Sequence, residues 1–338
     1  MIDFRYHLVS LVSVFLALAI GLVLGATALK PLVVSGLQAT ANRERVQIDQ
    51  LITTGKLTQQ QLAREESFAR SAEPQVLAHL LAGQRVVMVT AAGAPGSATS
   101  GITTALTEAG ATVSGQVQLQ SRFFDTTPAT RQALSQLAQQ LAPPTMNLPS
   151  GSAVLQASRV LASALVTRDG PGQPAPGVPD AAGGKILSGL AHSGFLTVGK
   201  GTPAAPATLA VVVLPASPPG TSDANPVSEG LVTLAQQLNL AGQGTVVAGT
   251  VAGSGPGSAI DVMRAGGRSG HLSSVDNADM VIGQIAAAQA LYELLHGVYG
   301  SYGVGSGASG PGPSPLPTPS ASTSPHRAAA AASGSGGR

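Results

Sequence analysis

Residues Thr208–Leu214 read TLAVVVL, a run without charge that is apolar at every position after the first. A strand with one wet face interleaves polar residues, whereas successive β-branched apolar residues mark a strand buried on both faces. Arg85–Val89 (RVVMV) and Thr245–Val251 (TVVAGTV) repeat the pattern, and Thr112–Leu119 alternates. Helical stretches are predicted between them, at about 99–108, 129–141, 152–166, 184–192, 228–240 and 278–295. Strands apolar on both sides and alternating with helices predict an α/β domain whose mainly parallel sheet is covered on both faces.

The rest of the composition narrows the chemistry. The chain has 338 residues with 42 Gly, 24 Pro, no Cys and no Trp, and only 10% of its residues are charged. Without cysteine there are no thiolate metal ligands, no disulfides and no thiol nucleophile. A formal charge of +2, with no Arg/Lys cluster among aromatics, argues against nucleic acid as a partner.

From Leu8 to Leu29 the sequence LVSLVSVFLALAIGLVLGATAL carries no charge. As a helix it spans about 33 Å, enough for the roughly 30 Å of a bilayer core. Phe4 and Tyr6 fit interfacial anchoring, and Pro31 is expected to close the helix. Ala26-Thr27-Ala28 matches a small-x-small processing site, which leaves a cleaved signal peptide open. The apolar run exceeds a signal core of about 7 to 15 residues, and Arg5 is offset by Asp3, so an uncleaved anchor in the lipid bilayer is favoured. Basic residues on the two sides do not decide its orientation. Gly21 and Gly25 form a GxxxG spacing that would let two anchors approach closely.

Four segments are therefore expected: leader and transmembrane helix at 1–31, helical stalk at 32–82, α/β domain at 83–302, and a disordered Gly/Ser/Pro/Ala tail at 303–338. A Gly/Pro-rich linker, 170–184, interrupts the domain. In the stalk, positions 41, 48, 55, 62 and 37, 44, 51, 58 give a half-filled heptad. Gly55 and Thr53-Thr54 weaken it, and Pro74 is expected to break or kink it. A homo-oligomer through stalk and anchor, or packing of the stalk on its own domain, both fit.

Candidate ligand-binding residues fall at strand ends. Gly93 to Ser97 (GAPGS, including Gly96) and Gly253 to Ser258 follow two strands, where backbone amides at a helix start can hold an anion. Neither turn matches GxGxxG or GxxxxGK[ST], and simple chain reversal explains both. Asp276, Asn277 and Asp279 precede the last helix as an expected N-cap, or as a polar site with His271. The six histidines show no HxH, HxxH or HxxxH spacing and the internal methionines no MxM or MxxM pair, so metal ligands stay undefined and no tightly bound cofactor is expected. No Ser/His/Asp constellation or GxSxG elbow is present, so the chain is not expected to be an enzyme.

Three segments carry a resemblance: MIDFRYHLVSLVSVFLALAIGLVLGA (Met1–Ala26), SSVDNAD with the following GQ and AL (Ser273 to Leu291), and YGSYGVGSGA (Tyr299–Ala308). On these the chain resembles the actinobacterial copper transport family typified by the mycobacterial copper transport protein B. The resemblance implies a cell-envelope membrane protein, its body outside the cytoplasm, that lowers intracellular copper, with copper ion as the transported species. It also implies an outer-membrane channel, and here the residues dissent. A transmembrane barrel needs many strands of about 9–11 residues bounded by aromatic girdles, whereas this chain has ten aromatic residues, four Tyr and six Phe, and βα alternation. The expected role is copper homeostasis without this polypeptide itself being the pore. The alternative is a membrane-tethered scaffold recruiting envelope partners.

Overall fold

A computed structural model describes residues 4–168, 181–199, 206–217, 225–265 and 270–314. The chain divides into two units, Met1–Ser67 and Phe68–Arg338. Helix α1 (Phe4–Leu77) supplies the described part of the first. Its stretch Tyr6–Gly25 has a mean hydropathy of 2.7 and no residue buried by protein. Leu8, Phe15, Leu22 and the other large apolar side chains of this stretch are exposed over half or more of their surface, and by length and composition the stretch suffices to cross a bilayer. The helix does not close at Pro31 and passes through Pro74 as well. Each proline deletes one i→i−4 hydrogen bond, a local loss that does not end a helix propagated by the turns on either side.

In the second unit seven strands form one open sheet in the order β3-β2-β1-β4-β5-β6-β7. They are β1 (Arg85–Thr90), β2 (Thr112–Leu119), β3 (Leu196–Val198), β4 (Leu209–Val213), β5 (Gly244–Ala248), β6 (Ser273–Val275) and β7 (Ser301–Tyr302). All pairings are parallel except β2 with β3, where Leu119 faces Leu196. Alternation along the strands divides the core. Val86 and Met88 join Leu209, Val211, Val213, Val246 and Ala248 on one face, under α2 (Gly96–Glu108), α8 (Val281–Leu295) and the end of α1, which contributes Leu77. Val87 and Val89 join Ala210, Val212 and Val247 on the other, under α3 (Pro128–Leu141), α4 (Ala153–Leu165), α5 (Ala181–His192), α6 (Pro226–Ala241) and α7 (Ala259–Ala265). This two-sided burial is what the apolar runs predict, and it makes the domain a doubly covered α/β sheet.

Two expected boundaries shift. Residues 181–184 of the expected linker form the first turn of α5, since Ala-Ala-Gly-Gly sits at a helix start where glycine is tolerated; the remainder, to 180, lies outside the described residues. Residues 303–314 of the expected tail belong to the fold: the Gly303 amide donates to the Gly310 carbonyl and the Ser309 amide to the Ser301 carbonyl. The tail from 315 onward lies outside the described residues.

Candidate functional site

Strand β6 delivers Asp276 to the carboxyl edge of the sheet, buried beneath the 303–306 segment. Its carboxylate accepts from the backbone amides of Val304 (2.7 Å) and Gly305 (3.0 Å), while its own amide donates to the Tyr302 carbonyl. Arg264 on α7 closes the arrangement. Its Nη1 donates to Asp276 Oδ2 (2.8 Å) and to the Ser306 carbonyl (2.9 Å), and its Nη2 to the Tyr302 carbonyl (3.1 Å). Glycine is required at 303, where φ is +126° and a Cβ would lie 2.0 Å from Asp276 Oδ1. The ion pair thus holds a segment too poor in apolar side chains to order itself. Beside it opens a cleft of about 290 Å³ lined by Val251, Ser254, Ile260, Asp261, Arg264 and Asp276.

The neighbouring polar residues lie at the same corner, where the buried Asn277 Oδ1 has no hydrogen-bond partner. The exposed Asp279 accepts from the Val251 amide (3.2 Å), joining the β5 loop to the β6 loop. Gly283 lies so close to Asn277 that a Cβ there would stand 2.0 Å from the Asn277 carbonyl oxygen. Gln284 Nε2 donates to the Ala278 carbonyl, and its side chain fills the space above Gly101. None of the three polar residues expected to cap α8 does so: the N-cap is Met280, without a side-chain bond. His271, exposed and with φ +66°, stacks edge-on against Tyr299 at 4.9 Å instead of facing Asp276. Tyr302 donates its hydroxyl to the buried Glu293 carboxylate of α8. Its phenol is pushed up from the usual 10 by burial and then by that carboxylate.

The Gly93–Ser97 turn is placed elsewhere. It leaves β1 beside β4, and the connections from these two strands run to opposite faces, through α2 and α6. That reversal is where doubly wound sheets bind ligands. In this chain the Gly93 carbonyl accepts from the Ala216 amide (2.9 Å), drawing the two loops together. Gly96 borders an open cavity of about 580 Å³ with Thr99, Ser100, Thr103 and Thr104. Their hydroxyls bond the carbonyls of their own helix, and no lining side chain carries a charge. Gly93 and Ser97 do not line that cavity, and neither it nor the cleft beside Arg264 brings this turn together with Asp276, Asp279 or His271. Sequence reasoning missed Arg264 and Glu293; the available signal was charge placed beside apolar or Gly-rich sequence in a chain where charge is scarce.

Two of the segments that carry the resemblance, 273–291 and 299–308, therefore fold onto one another through Asp276. The family model described as copper transport outer membrane protein, MctB, matches residues 1–313, anchor and α/β unit together. The chain belongs to the MctB family. Among curated relatives, the copper transporter MctB of Mycobacterium tuberculosis (strain H37Rv) is 28% identical over 317 residues, covering 90% of this chain and 97% of the relative. The copper transporter MctB of Mycobacterium leprae is 29% identical over 315 residues, with the same coverage. Among the described residues no three His, Asp or Glu side chains gather as a metal site. Met88 and Met263 are buried on opposite faces of the sheet. In this MctB-family chain the strands form an open sheet covered by helices, in place of the closed, lipid-facing strands of a membrane barrel.

Proposed function

We propose that this protein is a membrane-anchored component of copper efflux in the cell envelope, with its α/β unit outside the cytoplasm, assisting copper movement without enclosing the ion path itself. The observation that carries the reading is the extent of the family match, which takes in the lipid-length helix and the α/β unit as one inherited arrangement. A single helix cannot surround an ion, and the sheet's faces are filled by side chains, so a pore requires further subunits or a partner. The domain plan behind the reading is an anchor to residue 31, a stalk to about 82, and the body beyond it. Catalysis has no part in it, and copper is cargo.

Deleting the gene and measuring cell-associated copper under copper load tests the role. The expected result is higher copper in the deletion strain, reversed by the full chain; unchanged copper removes the role. A tethered scaffold is the second reading, favoured because Asp276, Asp279 and Arg264 are occupied with internal bonds. Crosslinking in cells separates the two: reproducible envelope partners with no change in copper support scaffolding.

A further inference from the structure

We infer that residues 48–62 of α1 form a parallel, in-register seam with the same residues of a second copy of this chain. Ile48, Leu51 and Leu62 are exposed over 54%, 72% and 41% of their surface. With Gly55 and Thr58 they recur at spacings of three and four residues, the period that keeps one side of a helix against a partner helix. Ile52, half exposed, borders the same face. A Cβ at Gly55 would meet nothing within 4 Å, so the centre of the face is open. The seam's ends are set by charge, because the next positions in the same register are Glu44 and Glu65, and Glu65 is engaged along its own helix by Gln61.

The chemistry of the face selects a second copy. In parallel register every seam residue meets its own kind: Ile48, Leu51 and Leu62 apolar against apolar, Thr58 with its hydroxyl already donated to the Thr54 carbonyl, and Gly55 against Gly55, which permits close approach. The flanking positions, Gln47, Thr54, Gln61, Ile52, Gln59 and Glu66, bring no pair of like charges opposite one another. Asp49, Lys56 and Arg64 fall on the outer side. The same helix contains the membrane span, so two chains in one bilayer present their stalks side by side, pointing the same way, at high effective concentration. That is needed, because a seam of five positions per chain buries less than the about 1,200 Å² of a free-standing interface. The inference rests on anchoring and stands apart from the copper role.

The natural absence of cysteine supplies a clean test. Single cysteines are placed in the full chain in membranes at the seam (I48C, L51C, G55C, T58C, L62C) and off it (D49C, T53C, L57C, Q60C), then oxidised with diamide. The expected result is covalent dimer at the seam positions at about five times the off-seam yield, and loss of the T58C dimer when Leu51→Lys and Leu62→Lys are added. Equal yields at all nine positions mean random collision and overturn the seam. So does a maximum at L57C, or no dimer anywhere, the result if the stalk packs on its own chain. Copper enters none of these readouts, so a negative result here and a negative result in the deletion strain are separately legible.

Discussion

Arg264 Nη1 lies 2.8 Å from Asp276 Oδ2, with the two side chains 9% and 1% exposed. The pair is the clasp that holds residues 302–306 over the end of β6, since the guanidinium binds the Tyr302 and Ser306 carbonyls while the carboxylate binds the Val304 and Gly305 amides. A buried ion pair contributes little net stability against an apolar substitute, but losing one partner leaves the other charge buried and uncompensated.

Asp276→Asn keeps the shape and removes the charge. The expected cost is roughly 3–5 kcal/mol, most of it from stranding Arg264. Thermal unfolding of the full chain in detergent reads the cost. Hydrogen exchange at Val304 and Gly305 should rise well above that of the β4 amides, and unchanged exchange there would separate the pair from the ordering of the segment.

Two glycines in similar settings should respond differently. A Cβ at Gly283 meets the backbone carbonyl of Asn277 at 2.0 Å, whereas one at Gly101 meets only the end of the Gln284 side chain at 2.3 Å. Gly283→Ala must move backbone and disrupt the start of α8, at a cost of about 3 kcal/mol or more. Gly101→Ala can displace Gln284 and should cost about 1–2 kcal/mol. Denaturant midpoints of the two variants, at equal m-values, check the order.

Tyr302 gives the fold an alkaline limit. Its phenol is raised in the folded protein, by burial first and the Glu293 carboxylate next, while in the unfolded chain it titrates near 10. Below that pH both states hold the proton and stability is constant on this account. Above it the unfolded chain loses the proton first, so stability falls as pH climbs toward the raised value. Tyr302→Phe should flatten this decline and cost about 1–3 kcal/mol at neutral pH by leaving Glu293 without its donor. Denaturation curves from pH 8 to 11 for both proteins provide the comparison.

What the residues disclose in advance follows from how each element is stabilised. TLAVVVL, RVVMV and TVVAGTV are legible because two-faced burial demands continuous apolar side chains, and these runs became β4, β1 and β5. Strand β6 is only SSV and β7 only SY, short and partly polar, so neither stands out from a loop. The antiparallel β3 is three residues long and is positioned by its pairing with β2. Segment 303–314 reads as tail because its composition is mostly Gly, Ser and Pro; its first residues are held by Asp276 and Arg264, 27 or more residues earlier, which no local pattern reports. The same holds for Asp276 itself: its place before a helix reads as a cap, while its partners lie across the fold.

The lipid assignment of the first helix can be broken at its middle. Leu16 lies near the centre of Tyr6–Gly25 and is 60% exposed to the surroundings of the helix. Leu16→Asp is expected to add about 3 kcal/mol to insertion and move a large share of the chain into the aqueous fraction. Leu57→Asp, outside the span, should leave the distribution unchanged; fractionation followed by immunoblotting scores both.

In the proposed role a membrane-held helix and an open α/β body act as one copper-efflux component. Cell-associated copper under copper load, measured in the deletion strain carrying either the full chain or an exported fragment that begins at Phe68, tests that union most directly. The full chain is expected to restore low copper and the unanchored fragment to leave it high at equal abundance. Full restoration by the unanchored fragment, or copper that never rose on deletion, would contradict it.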